Sequence, residues 1–303
     1  MKHVIYILIV VFLFAAAGMA QTKTDSAQGM LVTTDWVAAH GKDAGVVILH
    51  VGMDRTAYDA GHITGARFLG WSDITTTRNN VPNQLPVADV LKTAFERAGV
   101  GDRSHVVIYG DTPLLASYTY FALDYLGQAK HAVLDGGLEK WKADKRPVGT
   151  ARPTVAPAKL TVEAHPGLLV DFAAVQKIAA EKKVPVIDGR PPEQYSGVTP
   201  GDGIKRGGHI PGARSIPWGK ACNDDGTFKS ADDLRSLYGT EGIDGGKPVI
   251  AYCRIGERSS HTWFVLKYLL GFDKVTNYDG SWTEWGNLVG AAVERGAAVT
   301  AKA

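Results

Sequence analysis

Cysteine is close to absent from this sequence: Cys222 and Cys253 are the two present in 303 residues. A pair cannot make a disulfide framework. One bridge between them is open in an oxidising compartment, but the fold cannot depend on stapling. No Cys-x-x-Cys pair and no His/Cys cluster has metal-ligand spacing, so no metal and no other cofactor is expected. An excess of either charge is also missing, with 33 Lys+Arg against 31 Asp+Glu. That balance excludes a broad nucleic-acid footprint, and any cation cluster that matters must be local. Beyond the N-terminal segment no apolar run reaches the roughly 20 residues that cross a bilayer. What remains is 45% hydrophobic and 21% charged, a composition that can bury an ordinary core in each of two domains.

The N-terminus has its own pattern. Lys2 and His3 precede an apolar run from Val4 to Ala17, followed by Gly18-Met19-Ala20. A short basic segment, an apolar stretch and small residues describe a secretory signal, residues 1–20, cut after Ala20. The alternative is an uncleaved membrane anchor. Cleavage implies a periplasmic or secreted protein with no stable membrane contact.

An internal repeat organises the rest. Gly61-His62-Ile63-Thr64-Gly65-Ala66-Arg67 matches Gly208-His209-Ile210-Pro211-Gly212-Ala213-Arg214 at six of seven positions. Leu134 to Trp141 echoes Tyr278 to Trp285, and the apolar run Val106–Tyr109 corresponds to Val249–Tyr252. One domain has been duplicated. The Pro-rich stretch between the copies resists helix and reads as an extended linker. The expected units are 30–146, a linker 147–159, and 160–295. In each, short continuously apolar runs alternate with helical stretches, which implies an α/β fold with a parallel sheet covered on both faces. Sites in such sheets form at the carboxyl ends of the strands.

Cys253 directly follows the strand-like run Pro248–Tyr252, and Arg254-Ile255-Gly256-Glu257-Arg258 leads into a helix opening near Ser259. Backbone N–H groups of such a turn can form an anion nest, the helix presents its positive end, and two arginines add full charges. Surroundings of this kind favour thiolate, the nucleophilic form of cysteine. A cysteine after a strand is otherwise usually inert packing. Two arginines and a glycine within five residues argue for a working thiol. The His209 segment has its counterpart at His62, so this histidine is expected to serve the fold of both copies, as are Trp282 and Trp285.

The loop Cys253-Arg254-Ile255-Gly256-Glu257-Arg258-Ser259-Ser260 resembles the active loop of the rhodaneses, the thiosulfate sulfurtransferases. The Gly-His-Ile-Pro-Gly-Ala and Asp-Gly-Ser-Trp-x-Glu-Trp segments resemble that family's two other signatures. The resemblance implies two tandem rhodanese-like domains, each a five-stranded parallel sheet flanked by helices, with the active Cys in the second only. Where the second copy has Cys253, the first reads Asp111, which cannot carry sulfur. The resemblance implies sulfane sulfur transfer from thiosulfate to cyanide or a thiol through a Cys253 persulfide. Arg254, Gly256, Glu257, Arg258 and Arg190 are expected to bind the donor, with Asp188 and Ser259 in support; for Arg190 a plain ion pair to Asp188 is the other reading. Animal-type members carry an Arg and a Lys where this chain has Gln194 and Ile255, so those two roles are not carried over. Rival readings are a 3-mercaptopyruvate sulfurtransferase, a Cys-dependent phosphatase or arsenate reductase, and a non-catalytic sulfur-binding protein. A monomer is expected, since duplication already pairs two domains.

Overall fold

The computed structural model describes residues 29–296. The predicted signal segment lies outside them. The first half runs β1 (Leu31–Val32), α1 (Thr34–His40), β2 (Val46–Gly52), α2 (Thr56–Ala60), β3 (His62–Ile63) and β4 (Arg67–Gly70). It continues with the hairpin β5 (Thr76–Arg78) and β6 (Val81–Gln84), then α3 (Ala88–Arg97), β7 (His105–Gly110), α4 (Pro113–Tyr125), β8 (His131–Leu134), α5 (Gly137–Ala143) and β9 (Val148–Gly149). The second half contains α6 (Phe172–Glu181), β10 (Val186–Asp188), α7 (Pro192–Ser196), β11 (Arg214–Ser215) and α8 (Ala231–Gly239). It closes with β12 (Val249–Tyr252), α9 (Glu257–Phe264), β13 (Val275–Asn277) and α10 (Ser281–Trp285).

The expected α/β architecture is present in both halves. The first sheet is five-stranded in the order β1-β8-β7-β2-β4, and its pairs are parallel. The second is four-stranded, β11-β10-β12-β13, also parallel. Its fifth position is reduced to one parallel bridge, Leu169 to Asn277. The strands read as apolar runs because helices cover both faces: Val106 to Tyr109 and Val249 to Tyr252 are buried throughout. Between Thr150 and His165 there is no regular element. This stretch lies along the first half, where Ala158 donates to the Glu96 carbonyl and Leu160 to the Glu96 side chain.

The two histidine segments do the same job twice. His62 stacks on Tyr58 at 3.8 Å and pairs through Nδ1 with its carbonyl; His209 stacks on Tyr195 at 3.6 Å and does likewise. Trp282 and Trp285 are core residues of the second half.

One hydrophobic core spans both halves. Phe121 of α4 meets Trp263 of α9 edge-on at 4.8 Å, Tyr120 meets Phe264 at 4.7 Å, and all four side chains are buried. Residues Ser259 through Phe264 of α9 are buried. The helix carrying the Cys253 loop is thus an interior element packed against the other half. Beyond Phe264 it continues as a π-helical turn, Val265–Leu269, and the chain reverses at Gly271 (φ +75°).

Candidate active site

Cys253 stands one residue past β12, with its side chain fully buried. Its backbone is held from α10. Its N–H donates to Ser281 Oγ at 3.0 Å, its carbonyl accepts from Trp282 N at 2.9 Å, and the Arg254 carbonyl accepts from both N and Oγ1 of Thr283. Ser281 adopts φ +51° and donates to the Tyr278 carbonyl. The Asp-Gly-Ser-Trp segment is therefore a clamp on the loop, a role with no signature in the spacing of its residues. Gly256 turns the chain into α9 at φ +90°. Its carbonyl collects Ser259 Oγ, Ser260 Oγ and Ser260 N. Ser259 Oγ, expected in support, also stands 3.7 Å from Cys253 Sγ.

The loop's own N–H groups are left over. Among the described residues, no acceptor is found for the amides from Arg254 through Ser259. Such a run of unpaired donors at a helix start is a ready anion cradle. Neither Arg254 nor Arg258 forms an ion pair among the described residues, and Arg258 Nη1 is buried without a partner. Both guanidiniums are half-buried beside the loop. Glu257, the first residue of α9, is half-buried; burial pushes its carboxyl up, while Arg258 and Arg254 pull it back.

Arg190 is a correction. It is fully buried, donates from Nε and Nη2 to both oxygens of Asp188, and caps the Gly208 carbonyl through Nη2. Its guanidinium lies 4.5 Å from the Trp282 ring centre. Burial opposes its charge, and Asp188 together with Tyr252 more than offsets this. A side chain so engaged cannot reach a donor; it ties the end of β10 to the neighbouring loop. Asp188 also accepts from Tyr252 Oη at 2.6 Å.

The reading of Asp111 also shifts. His50 pairs with Tyr109 in the first sheet as Asp188 pairs with Tyr252 in the second. Gly110, not Asp111, therefore stands at the Cys253 position, and Asp111 follows it. A Cβ at Gly110 would lie 2.9 Å from the Val51 carbonyl oxygen and 3.0 Å from Leu115 Cβ. The first half has no room there for a thiol-bearing side chain.

The first half nonetheless reaches the second half's site. Leu85, just after β6, donates its N–H to Asp279 Oδ2 at 2.6 Å. Asp279 Oδ1, buried and without a partner, sits 2.4 Å from where a Cβ on Gly256 would be. Burial pushes the Asp279 carboxyl up to about 7, against the Leu85 hydrogen bond and Arg78. Tyr118 of α4 is buried within electrostatic range of Cys253 and Glu257. Sequence reading missed Leu85, Tyr118 and Asp279, because contacts between the copies leave no mark on the spacing within each.

Cys222 lies elsewhere. Both cysteines are free thiols. Cys222 Sγ is 3.5 Å from His261 Nε2. Burial pushes this thiol up to about 11 and the His261 imidazole down to about 3, so neither is charged near neutrality.

The Rhodanese-like domain model matches the chain twice, over residues 33–144 and 171–288. The chain belongs to the rhodanese-like domain family. Its rhodanese-like halves together resemble whole proteins. A "Sulfur carrier protein TtuD" of Thermus thermophilus is 41% identical over 281 residues, covering 88% of this chain and 97% of that one. A "Putative thiosulfate sulfurtransferase" of Haloferax volcanii is 40% identical over 290 residues, covering 91% and 99%. Among solved structures, wild-type EanB superposes with a TM-score of 0.81 at 24% identity, over 89% of this chain and 70% of that one. YnjE superposes at 0.80, also at 24% identity, over 88% and 68%. These last two bear on the fold alone. Together with the tandem relatives, the family makes this a rhodanese-type sulfurtransferase by descent.

Proposed function

We propose that the protein is a thiosulfate sulfurtransferase that carries sulfane sulfur on Cys253. The observation that carries this reading is the cradle: unpaired amides from Arg254 to Ser259, with two unpaired guanidiniums, around one buried thiol. The Cys253 thiolate attacks the outer sulfur of thiosulfate. A Cys253–sulfur bond forms, the sulfur–sulfur bond of thiosulfate breaks, and sulfite leaves with the electron pair. Cyanide or a thiolate then attacks the outer persulfide sulfur and returns the Cys253 thiolate, a two-step covalent cycle. The loop amides and Arg258 stabilise the anionic donor first and the persulfide afterwards.

The basic loop favours dianionic thiosulfate over 3-mercaptopyruvate. Four residues separate Cys253 from Arg258, which makes the cradle small for a tetrahedral phosphate and disfavours the phosphatase and arsenate reductase readings. A relative named as a sulfur carrier gives weight to a protein thiol as the natural acceptor. Export after cleavage at Ala20 is part of the proposal, tested by the N-terminal sequence of protein from the periplasm or medium.

The test is sulfur transfer to cyanide with thiosulfate and 3-mercaptopyruvate side by side, for wild type and Cys253→Ser. Thiosulfate turnover that vanishes in the variant is expected. Preference for mercaptopyruvate overturns the donor assignment and keeps the nucleophile. A stoichiometric persulfide without turnover points to a carrier. Transfer that survives Cys253→Ser refutes the scheme.

A further inference from the structure

One tie between the halves occurs twice, in opposite directions. Leu134-Asp135-Gly136 in the first half repeats as Tyr278-Asp279-Gly280 in the second. Asp135 Oδ1 accepts the N–H of Phe228 from the second half at 2.9 Å, and Asp279 Oδ2 accepts the N–H of Leu85 from the first at 2.6 Å. The spacing that relates Asp135 to Asp279 also relates Tyr120 to Phe264 and Asp124 to Tyr268. These partners meet as well: Tyr120 packs on Phe264 at 4.7 Å, and Tyr268 Oη donates to Asp124 Oδ1 at 2.7 Å. The contact is close to twofold symmetric, as between two copies of one domain.

The symmetry breaks where the chemistry is. Asp279 Oδ1 fills the space over Gly256, 2.4 Å from where a Cβ would be, and has no hydrogen-bond partner among the described residues. The backbone that follows Asp279 holds Cys253 and Arg254 through Ser281, Trp282 and Thr283. On the other side, Leu85 ends a hairpin that the first half braces. Asn83 receives Trp71 Nε1 on its side chain at 3.0 Å and Tyr118 Oη on its carbonyl at 3.4 Å. Asp279 thus stands between a fixed point of the first half and the bend of the Cys253 loop. In the first half the residue before the helix is Thr112, in extended backbone at φ −138°, and no thiol follows Tyr109. The same tie bears on a reactive loop once.

We infer that Asp279 is a positioning residue for the Cys253 cradle, through which the half without a thiol sets the loop. It acts through the loop and not on the substrate. By joining Leu85 to the bend at Gly256, it holds the loop amides where the thiolate and an anionic donor need them. A misplacement of about 1 Å near reacting groups costs on the order of 100-fold in rate. The inference rests on the reading of Cys253 as the sulfur-carrying thiol. Asp135 supplies its control: a tie of the same kind between the same halves, directed at Phe228 instead of the loop.

The experiment compares Asp279→Ala, Asp279→Asn and Asp135→Ala in the full-length protein at pH 6. There Asp279, pushed up to about 7 by burial, largely holds its proton, and asparagine matches it in charge. Asparagine keeps an acceptor for the Leu85 N–H, whereas alanine leaves that donor unmet. In Asp279→Ala, kcat/KM for thiosulfate should fall at least tenfold. It should stay within threefold of wild type in Asp279→Asn and within twofold in Asp135→Ala, although both alanine variants lose a similar part of the thermal stability. Asp279→Ser, too short to reach Leu85, replaces Asp279→Ala if that variant does not fold. The rate at which iodoacetate alkylates Cys253, read by mass spectrometry of its peptide, should follow the same order and needs no turnover. An equal loss in Asp279→Ala and Asp135→Ala, or an Asp279→Asn variant as impaired as Asp279→Ala, would overturn the inference. Wild type that transfers no sulfur would count against the sulfurtransferase reading, while the alkylation rates still decide the role of Asp279.

Discussion

Gly256 carries more of the site than its size suggests. At φ +90° it lets the chain turn into α9, and a Cβ there would strike Asp279 Oδ1 at 2.4 Å. Gly256→Ala should therefore cost about 1–3 kcal/mol of strain and lower sulfur transfer steeply while the protein still folds, as read by turnover beside circular dichroism. Arg258 has a buried, unpartnered Nη1 next to the cradle. Arg258→Ala should cost about 1.5–3 kcal/mol in kcat/KM for thiosulfate, the usual worth of a charge-assisted hydrogen bond; unchanged kinetics would remove this residue from the mechanism. Asp279 gives a pH dependence with a definite sign. Its carboxyl is raised from 3.8 to about 7 by burial, so the folded state holds its proton where the unfolded chain has released it. The stability it contributes is complete below pH ~4 and is lost as pH rises through about 7. Asp279→Asn should flatten that decline, measured as thermal midpoints at pH 5 and pH 8.

At the scale of elements, the ends of β10 and β12 are locked by Asp188, Arg190 and Tyr252. Removing one partner of a buried ion pair leaves the other charge uncompensated, so Arg190→Ala should destabilise by about 3–5 kcal/mol in denaturant unfolding. Much of this level was legible beforehand. The runs Val106–Tyr109 and Val249–Tyr252 announced central strands because parallel strands are buried on both faces. The Cys253 loop was legible because its chemistry is local: the thiol, the turn and the arginines lie in one stretch of sequence. Arg190 was harder, since its spacing from Asp188 fits a donor-binding cation and a buried ion pair equally well. The clamp from Ser281 and Thr283 depends on how α10 meets the loop, and no periodicity encodes that. The reading at Asp111 was one residue off, because Tyr109 stands where Tyr252 does and the residue that follows it is Gly110.

At the scale of the whole molecule, duplication was plain in the sequence, whereas the sharing of one core was not. α4 and α9 bury Phe121, Tyr120, Trp263 and Phe264 against each other, and Leu85 reaches from the first half to Asp279 beside the loop. Large apolar faces of this kind make neighbouring domains unfold together. The protein should melt in one transition by calorimetry, and the second half expressed alone, 160–295, should expose the Trp263 face, bind ANS and lose transfer activity. Two separate transitions with an active second half would contradict this. The central claim concerns one atom, Cys253 Sγ, and the most direct measurement is mass spectrometry of the protein treated with thiosulfate and kept free of reductant. One added sulfur on the peptide containing Cys253, removed by cyanide with release of thiocyanate, is the predicted result; sulfur found on Cys222, or none on either cysteine, would contradict it.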